Sequence, residues 1–282
     1  MKKSNPLKKI AAGFGVGSLA LTAVAFYISY KILHPKRLKQ QETPKKFGLN
    51  YKKVEFKSKD GTLLKGWLVE AKEPRGLIVL SHGYTYDKQS LLPAAKLLYK
   101  NNFTTVLFDY RAHGESEGNK STIGILEQND LLAAIDFAKK FSNNIGVFGI
   151  SMGAATAIMA IAKNKTPVKL LVLDSSFAKL SEIIYRKSHI LTPLIIKFMR
   201  LSGVNVTESQ PIDYVDKLTI PVFFIHGEKD ELVPFKDTIQ LFEKSNNPKQ
   251  LWIVKEGLHG RSYFVKKKEY TKKVLDFLNR YM

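Results

Sequence analysis

The chain has 282 residues, 44% of them apolar and 11% aromatic, enough to bury one large core or two small ones, which excludes disorder for most of its length. Its 45 Lys and Arg stand against 25 Asp and Glu, a formal charge of +20, but the excess is spread and carries no zinc-finger spacing, RNP-like motif or aromatic-interleaved basic stretch, so no nucleic-acid partner is expected. A generally Lys-rich surface is the plain reading of that charge, and attraction to anionic lipid headgroups is the next. The absence of cysteine removes disulfides, thiolate metal sites and thiol nucleophiles together.

Residues 1–9 form a short basic tail with Lys2, Lys3, Lys8 and Lys9. From Ile10 to Tyr30 run 21 residues without a charge, and Ile32 and Leu33 extend the stretch past Lys31. A helix needs about 20 apolar residues to cross a bilayer core, so residues 10–33 are predicted to be a transmembrane signal-anchor. The rival is a cleaved secretory leader, since Ala23-Val24-Ala25 fits a small-residue cleavage site; the apolar run continues through Phe26, Tyr27 and Ile28, which favours the anchor. Basic residues after the segment outnumber those before it, so the positive-inside count is divided. The expectation is a single-pass protein of the cell membrane with the tail inside and the folded domain outside. Residues 34–49, with Pro35, Pro44 and many lysines, read as a polar linker.

The remaining residues, 50–282, are expected to form one folded domain. Residues 51–57 and 63–69 alternate polar and apolar side chains around Asp60-Gly61, which predicts an antiparallel hairpin. Residues 76–81, 104–108, 145–150, 170–173 and 222–225 are short, nearly continuous apolar runs, the mark of strands buried on both faces of a parallel sheet. Between them residues 90–100, 125–140, 152–163 and 236–244 have helical spacing. Strand and helix alternate, so the class is α/β with a mostly parallel sheet and helices on both faces. Residues 177–206 break the rhythm, being long, apolar and largely helical, and read either as a small helical cap or as a core-packing insertion.

Gly149-Ile150-Ser151-Met152-Gly153 joins an apolar run to a helical stretch, so Ser151 is predicted on a sharp strand-to-helix turn that the glycines permit. A serine hydroxyl attacks only when a base removes its proton and an acid holds that base. Of six histidines, His259 comes late, in a Gly257–Gly260 loop, where the chain order Ser, acid, His that accompanies such an elbow requires it. The acid is Asp230, just past the carboxyl end of the 222–225 run, with Asp174 and Glu228 as competitors. Oxyanion donors are expected from the backbone N–H of Met152 and that of Tyr84, whose phenol either adds a donor or lines the pocket. His82 is expected to support that loop rather than act as a base.

With these residues in view the chain, from about Val54 to Leu278, resembles the α/β-hydrolase superfamily, in particular the Bem46-type and serine-aminopeptidase-like group. The resemblance rests on His82-Gly83, Asp109-Tyr110-Arg111 with His113-Gly114 and Ser116, the Gly149–Gly153 elbow, His226-Gly227, Asp230, Val233-Pro234 and His259. It implies a fold of this class and a supporting role for the 109–116 loop. The expected activity is hydrolysis of a carboxylic ester, of small-molecule or lipid-like kind, through an acyl-enzyme on a Ser151, His259, Asp230 triad, with no metal or organic cofactor. Thioester or amide cleavage on acylated proteins or peptides is the alternative chemistry, and a non-catalytic, membrane-anchored binding protein is the alternative class.

Overall fold

Among the described residues one sheet of eight strands forms, β1 (Lys52–Lys57), β2 (Leu63–Val69), β3 (Gly76–Ser81), β4 (Phe103–Phe108), β5 (Ile145–Ile150), β6 (Val168–Asp174), β7 (Val222–Gly227) and β8 (Lys249–Val254), in the order β1-β2-β4-β3-β5-β6-β7-β8. This computed structural model describes the backbone of residues 6–282 and the side chains of residues 19–282. The hairpin β1 and β2 is antiparallel and joins the sheet through an antiparallel β2–β4 pairing. From β3 and β4 through β5, β6, β7 and β8 every pairing is parallel. These are the runs in which both faces are apolar, and β3, β4 and β7 are buried along their whole length, as a strand covered on both sides must be.

The crossovers place helices on the two faces: α2 (Leu92–Tyr99), α3 (Glu127–Ala138), α4 (Met152–Lys163) and α7 (Phe235–Lys244). Two apolar clusters result, one on each face; α3 and α4 pack into one, and α2 into the other. The second face is completed by α9 (Lys267–Tyr281), which follows the single turn α8 (Ser262–Val265) and buries Tyr270, Val274, Phe277 and Leu278. Between β6 and β7 the 177–206 segment forms α5 (Leu180–Ser188), which walls the main cavity at the carboxyl ends of the strands, and α6 (Thr192–Leu201), which packs against α5.

The amino terminus differs from expectation. Helix α1 (Pro6–Leu33) is continuous, but its last turns belong to the domain: Ala25, Ser29 and Leu33 are buried, and the Phe26 ring meets Phe198 of α6 edge-on at 5.5 Å. The basic tail expected over residues 1–9 and residues 10–18 of the expected membrane span lie outside the described side chains. Among the described residues no helix is long and apolar enough to cross a membrane. Residues 34–49, read from sequence as a polar linker, lie along the domain surface, with Pro44 and Leu49 buried and the Gln41 and Glu42 N–H groups donating to Gln89 Oε1 at 3.0 and 3.3 Å. Composition marks such a segment as polar; it does not report backbone hydrogen bonds, which fix this one.

Candidate active site

Ser151 occupies the turn from β5 into α4 at φ 54° and ψ −117°, a conformation that costs a non-glycine residue about 1–3 kcal/mol and that the surrounding structure must impose. The crowding explains the flanking glycines. A Cβ on Gly149 would stand 2.7 Å from the Ala154 nitrogen, and one on Gly153 would stand 2.3 Å from the Ser81 carbonyl oxygen. The Ser151 N–H donates to the Asp174 carbonyl at 2.8 Å, tying the elbow to the end of β6. The first turn of α4, with its free N–H groups, therefore opens beside the hydroxyl.

The three residues that the sequence singles out converge. His259 Nε2 lies 2.9 Å from Ser151 Oγ, and His259 Nδ1 lies 2.6 Å from Asp230 Oδ2. Asp230 Oδ1 accepts the Leu232 and Val233 N–H groups at 2.9 and 2.8 Å, which locks the carboxylate plane. The Asp230 and His259 loops can approach because both carry glycine at their contact: a Cβ on Gly227 would stand 2.3 Å from the Gly257 carbonyl oxygen. Burial alone would raise the Asp230 pKa, but hydrogen bonds from His226 and His259 outweigh it and hold the carboxyl well below the usual carboxylate range.

The competitors for the acid are placed elsewhere. Asp174 is buried, accepts from Ser175 Oγ and the Tyr270 hydroxyl at 2.9 Å each, and among the described residues has no hydrogen bond to His259. Burial raises its pKa. Glu228 is exposed. His226, which is among the residues carrying the resemblance but has no role assigned from sequence, is fully buried at the end of β7; its Nε2 reaches Asp230 Oδ2 at 3.0 Å and the Val233 carbonyl at 2.9 Å while Nδ1 meets Thr238 Oγ1 at 2.6 Å. Its place four residues before Asp230 on an otherwise apolar strand was the available signal.

The loop after β3 runs past the elbow, and a Cβ on Gly83 would stand 3.3 Å from Ser151 Cβ. Both Tyr84 and Met152 line the cavity at Ser151, and among the described residues no backbone hydrogen bond takes up either N–H. Two buried histidines hold this loop. His82 Nδ1–H donates to the Gly83 carbonyl at 2.8 Å, and its Nε2 accepts the Tyr110 N–H at 3.0 Å. His113 Nδ1–H donates to the Arg111 carbonyl at 2.8 Å, and its Nε2 accepts the Thr85 N–H at 3.3 Å. Burial lowers both pKa values, that of His82 strongly, so each ring keeps the neutral form that these bonds require. The Tyr84 hydroxyl does not point at the reacting centre; it donates to the Ile32 carbonyl at 2.7 Å.

Ser151 and His259 open on a cavity of about 920 Å³ whose walls are largely apolar: Phe177, Leu180, Ile183 and Ile184 from the cap side, and Leu232, Leu258 and Phe264 opposite. That is the upper end of the size range of small-molecule sites. Among the described residues no group of three or more His, Asp or Glu side chains is placed to hold a metal ion.

The model of the family "Serine aminopeptidase, S33" matches residues 72–212. The chain is 29% identical to the Bacillus subtilis (strain 168) protein YqkD over 97% of this chain and 98% of that one. It is 28% identical to protein bem46 of Schizosaccharomyces pombe over 81% and 80% of the respective chains. Among solved structures, the Pyrococcus furiosus esterase PF2001 superposes with a TM-score of 0.76 at 28% identity, covering 90% of this chain and 99% of that one.

Proposed function

The chain belongs to the serine aminopeptidase S33 family of α/β-hydrolases and is an esterase-like serine hydrolase, and from that premise we propose that it cleaves carboxylic esters through an acyl-enzyme on Ser151. The observation that carries the reading is the unbroken hydrogen-bonded chain from Asp230 through His259 to Ser151, ending in an apolar cavity. Ser151 Oγ attacks the ester carbonyl while His259 Nε2 takes the hydroxyl proton, and Asp230 keeps the proton on Nδ1 and favours the imidazolium as it forms. The Tyr84 and Met152 N–H groups receive the negative charge on the former carbonyl oxygen, each worth about 2.7–4 kcal/mol in the transition state. The carbonyl-to-alkoxy bond then breaks and His259 passes its proton to the departing alcohol. Water, deprotonated by His259, cleaves the acyl-enzyme, and the proton returns to Ser151 as the carboxylic acid leaves.

The apolar walls favour an ester whose acyl part is a hydrocarbon chain. Tyr86, Leu258 and Phe264, which line the same cavity, are also largely exposed, as suits a lipid-like substrate delivered from an interface. The uncharged stretch of residues 10–30 supports attachment of the amino terminus to the cell membrane, and the domain is proposed on the outer side as in a signal-anchor with its short basic tail inside.

The test is labelling of the full chain in detergent with a fluorophosphonate, with the adduct located by mass spectrometry. The expected result is a single adduct on Ser151, lost in Ser151→Ala and strongly slowed in His259→Ala. A folded wild-type chain that resists the probe while the open cavity admits a dye of similar size would remove the hydrolase reading and leave a binding protein. Turnover of matched oxygen esters, thioesters and amides of one acyl chain then ranks the chemistries, with the oxygen ester expected to have the highest kcat/KM.

A further inference from the structure

A helix ends with four carbonyl groups that have no partner within it, and at the end of α1 two of these are taken by the domain. The Ser121 N–H donates to the Leu33 carbonyl at 2.8 Å, and the Tyr84 hydroxyl donates to the Ile32 carbonyl at 2.7 Å. Burial pushes the Tyr84 phenol up to about 12, so it remains a donor throughout the neutral range. Four residues after Leu33, the Arg37 guanidinium donates to the carbonyl groups of His113 (3.2 Å), Gly114 (2.9 Å), Ser116 and Gly118. The planar guanidinium carries five N–H donors in a fixed geometry, which suits it to gathering the carbonyl groups of a curved loop.

Both grips act on the loop beside Ser151. Tyr84 lines the cavity beside Ser151 and its N–H, which no backbone acceptor among the described residues takes up, is the oxyanion donor proposed above; His113, in the loop held by Arg37, accepts the N–H of Thr85. Thr85 has φ 66°, a left-handed conformation that a β-branched residue adopts only under external constraint. The same strap brings Ile32 and Phe47 into the cavity wall. We propose that residues 32–47 are a working part of the active site: they brace the loop that carries the Tyr84 N–H, so the seat of α1 against the domain sets the position of an oxyanion donor. The inference rests on the hydrolase reading and extends it to a segment of the chain that lies outside the sheet and its crossovers.

The brace is tested in the full chain in detergent with a short soluble aryl ester. Tyr84→Phe removes one hydroxyl and keeps the ring and the N–H; Arg37→Ala removes the clamp. A donor moved by about 1 Å can cost up to about 10²-fold in rate, and a kcat about tenfold lower with KM nearly unchanged is expected for Tyr84→Phe, with a smaller loss of the same kind for Arg37→Ala. Because both act on one loop, the double variant should be no slower than the product of the singles and close to the worse of them. Near-ultraviolet circular dichroism confirms folding, and Tyr84→Phe decides the matter alone if Arg37→Ala does not fold. The brace is refuted if folded Tyr84→Phe keeps the wild-type kcat, if the loss lies in KM only, or if the two losses multiply independently. Failure of the hydrolase reading is separate, since it would show as a wild-type chain that the fluorophosphonate does not label.

Discussion

Replacing Asp230 by Asn changes one oxygen to an amide and little else in shape, and its consequence follows from the four hydrogen bonds that the carboxylate accepts. Oδ1 is held by the N–H groups of Leu232 and Val233, so in the Asn variant the amide oxygen is retained at that position and the NH2 group turns toward His259 and His226. A donor now faces His259 Nδ1, which must become the acceptor; its proton moves to Nε2, the nitrogen 2.9 Å from Ser151 Oγ. An Nε2–H cannot remove the serine proton. Loss of the correct tautomer in such a triad lowers kcat about 10⁴-fold, equivalent to about 5.4 kcal/mol at ~1.36 kcal/mol per decade. The control is Asp174→Asn, the other buried strand-end carboxylate, whose partners are Ser175 and Tyr270. It should retain kcat/KM within about fivefold, a loss of less than ~1 kcal/mol. Initial rates with an activated aryl ester across pH 6 to 9 decide the matter. The assignment is wrong if Asp230→Asn keeps a tenth or more of wild-type kcat/KM, and Asp174 takes its place if the two variants exchange effects.

Stability should fall as the solution is acidified from neutrality. His82 has its pKa lowered by burial from 6.5, so the unfolded chain binds the proton first, and the stability that the neutral ring confers is fully present above about pH 6.5 and lost as pH falls toward its depressed folded-state value. His113 acts in the same sense, and Asp230 adds a second loss below the ordinary carboxylate range. Urea midpoints at pH 7.5, 6.5 and 5.5 should decline in that order and His113→Gln, whose amide oxygen can still accept from Thr85, should flatten the slope; equal midpoints would contradict the buried neutral rings. Beneath the site, Arg111 is held by buried Asp130 (Nη2 to Oδ1 2.6 Å, Nε to Oδ2 2.9 Å) and by half-exposed Asp60 (2.6 Å). Asp130→Ala leaves that cation without its buried partner and should cost about 3–5 kcal/mol, whereas Asp60→Ala should cost about 1 kcal/mol or less. Equal costs in urea denaturation would show that burial is not what separates the two pairs.

Ser151 was legible because all its determinants are local: a strand buried on both faces, two glycines that the turn geometry demands, and a helix behind them. Asp230 was legible through its place just past the carboxyl end of a buried strand, and Asp174 competed because a carboxylate closing a buried strand looks the same in sequence; the difference is which of them the His259 loop meets, a tertiary fact set partly by the Gly227 and Gly257 contact. Helix α9 was missed since Lys267, Lys268, Lys272 and Lys273 dominate its composition, although Tyr270, Val274, Phe277 and Leu278 stand at helical spacing and are its buried face. The strap was illegible for another reason. Arg37 binds main-chain carbonyl groups, which every residue has, so nothing in the 113–118 sequence marks the partner.

Docking of α1 also constrains how the proposed membrane attachment can work. Ala25 is the first buried side chain of α1 among the described residues, and residues 10–24 are the uncharged stretch that precedes it. At ~1.5 Å per residue these reach about 22 Å, short of a hydrocarbon core of about 30 Å. A membrane-spanning α1 must therefore draw its first docked turn into the headgroup region, and that turn exposes Phe26, Tyr27 and Tyr30, the residue types that favour the interface. The domain would then rest against the bilayer beside α6 instead of hanging from a tether. Tyr27→Trp, reconstituted as the full chain in vesicles containing lipids brominated at shallow or deep acyl positions, reports on this directly. Its emission should be quenched most by the shallow bromines. Emission that neither lipid quenches would place Tyr27 in water and refute both the seating and the geometry behind it.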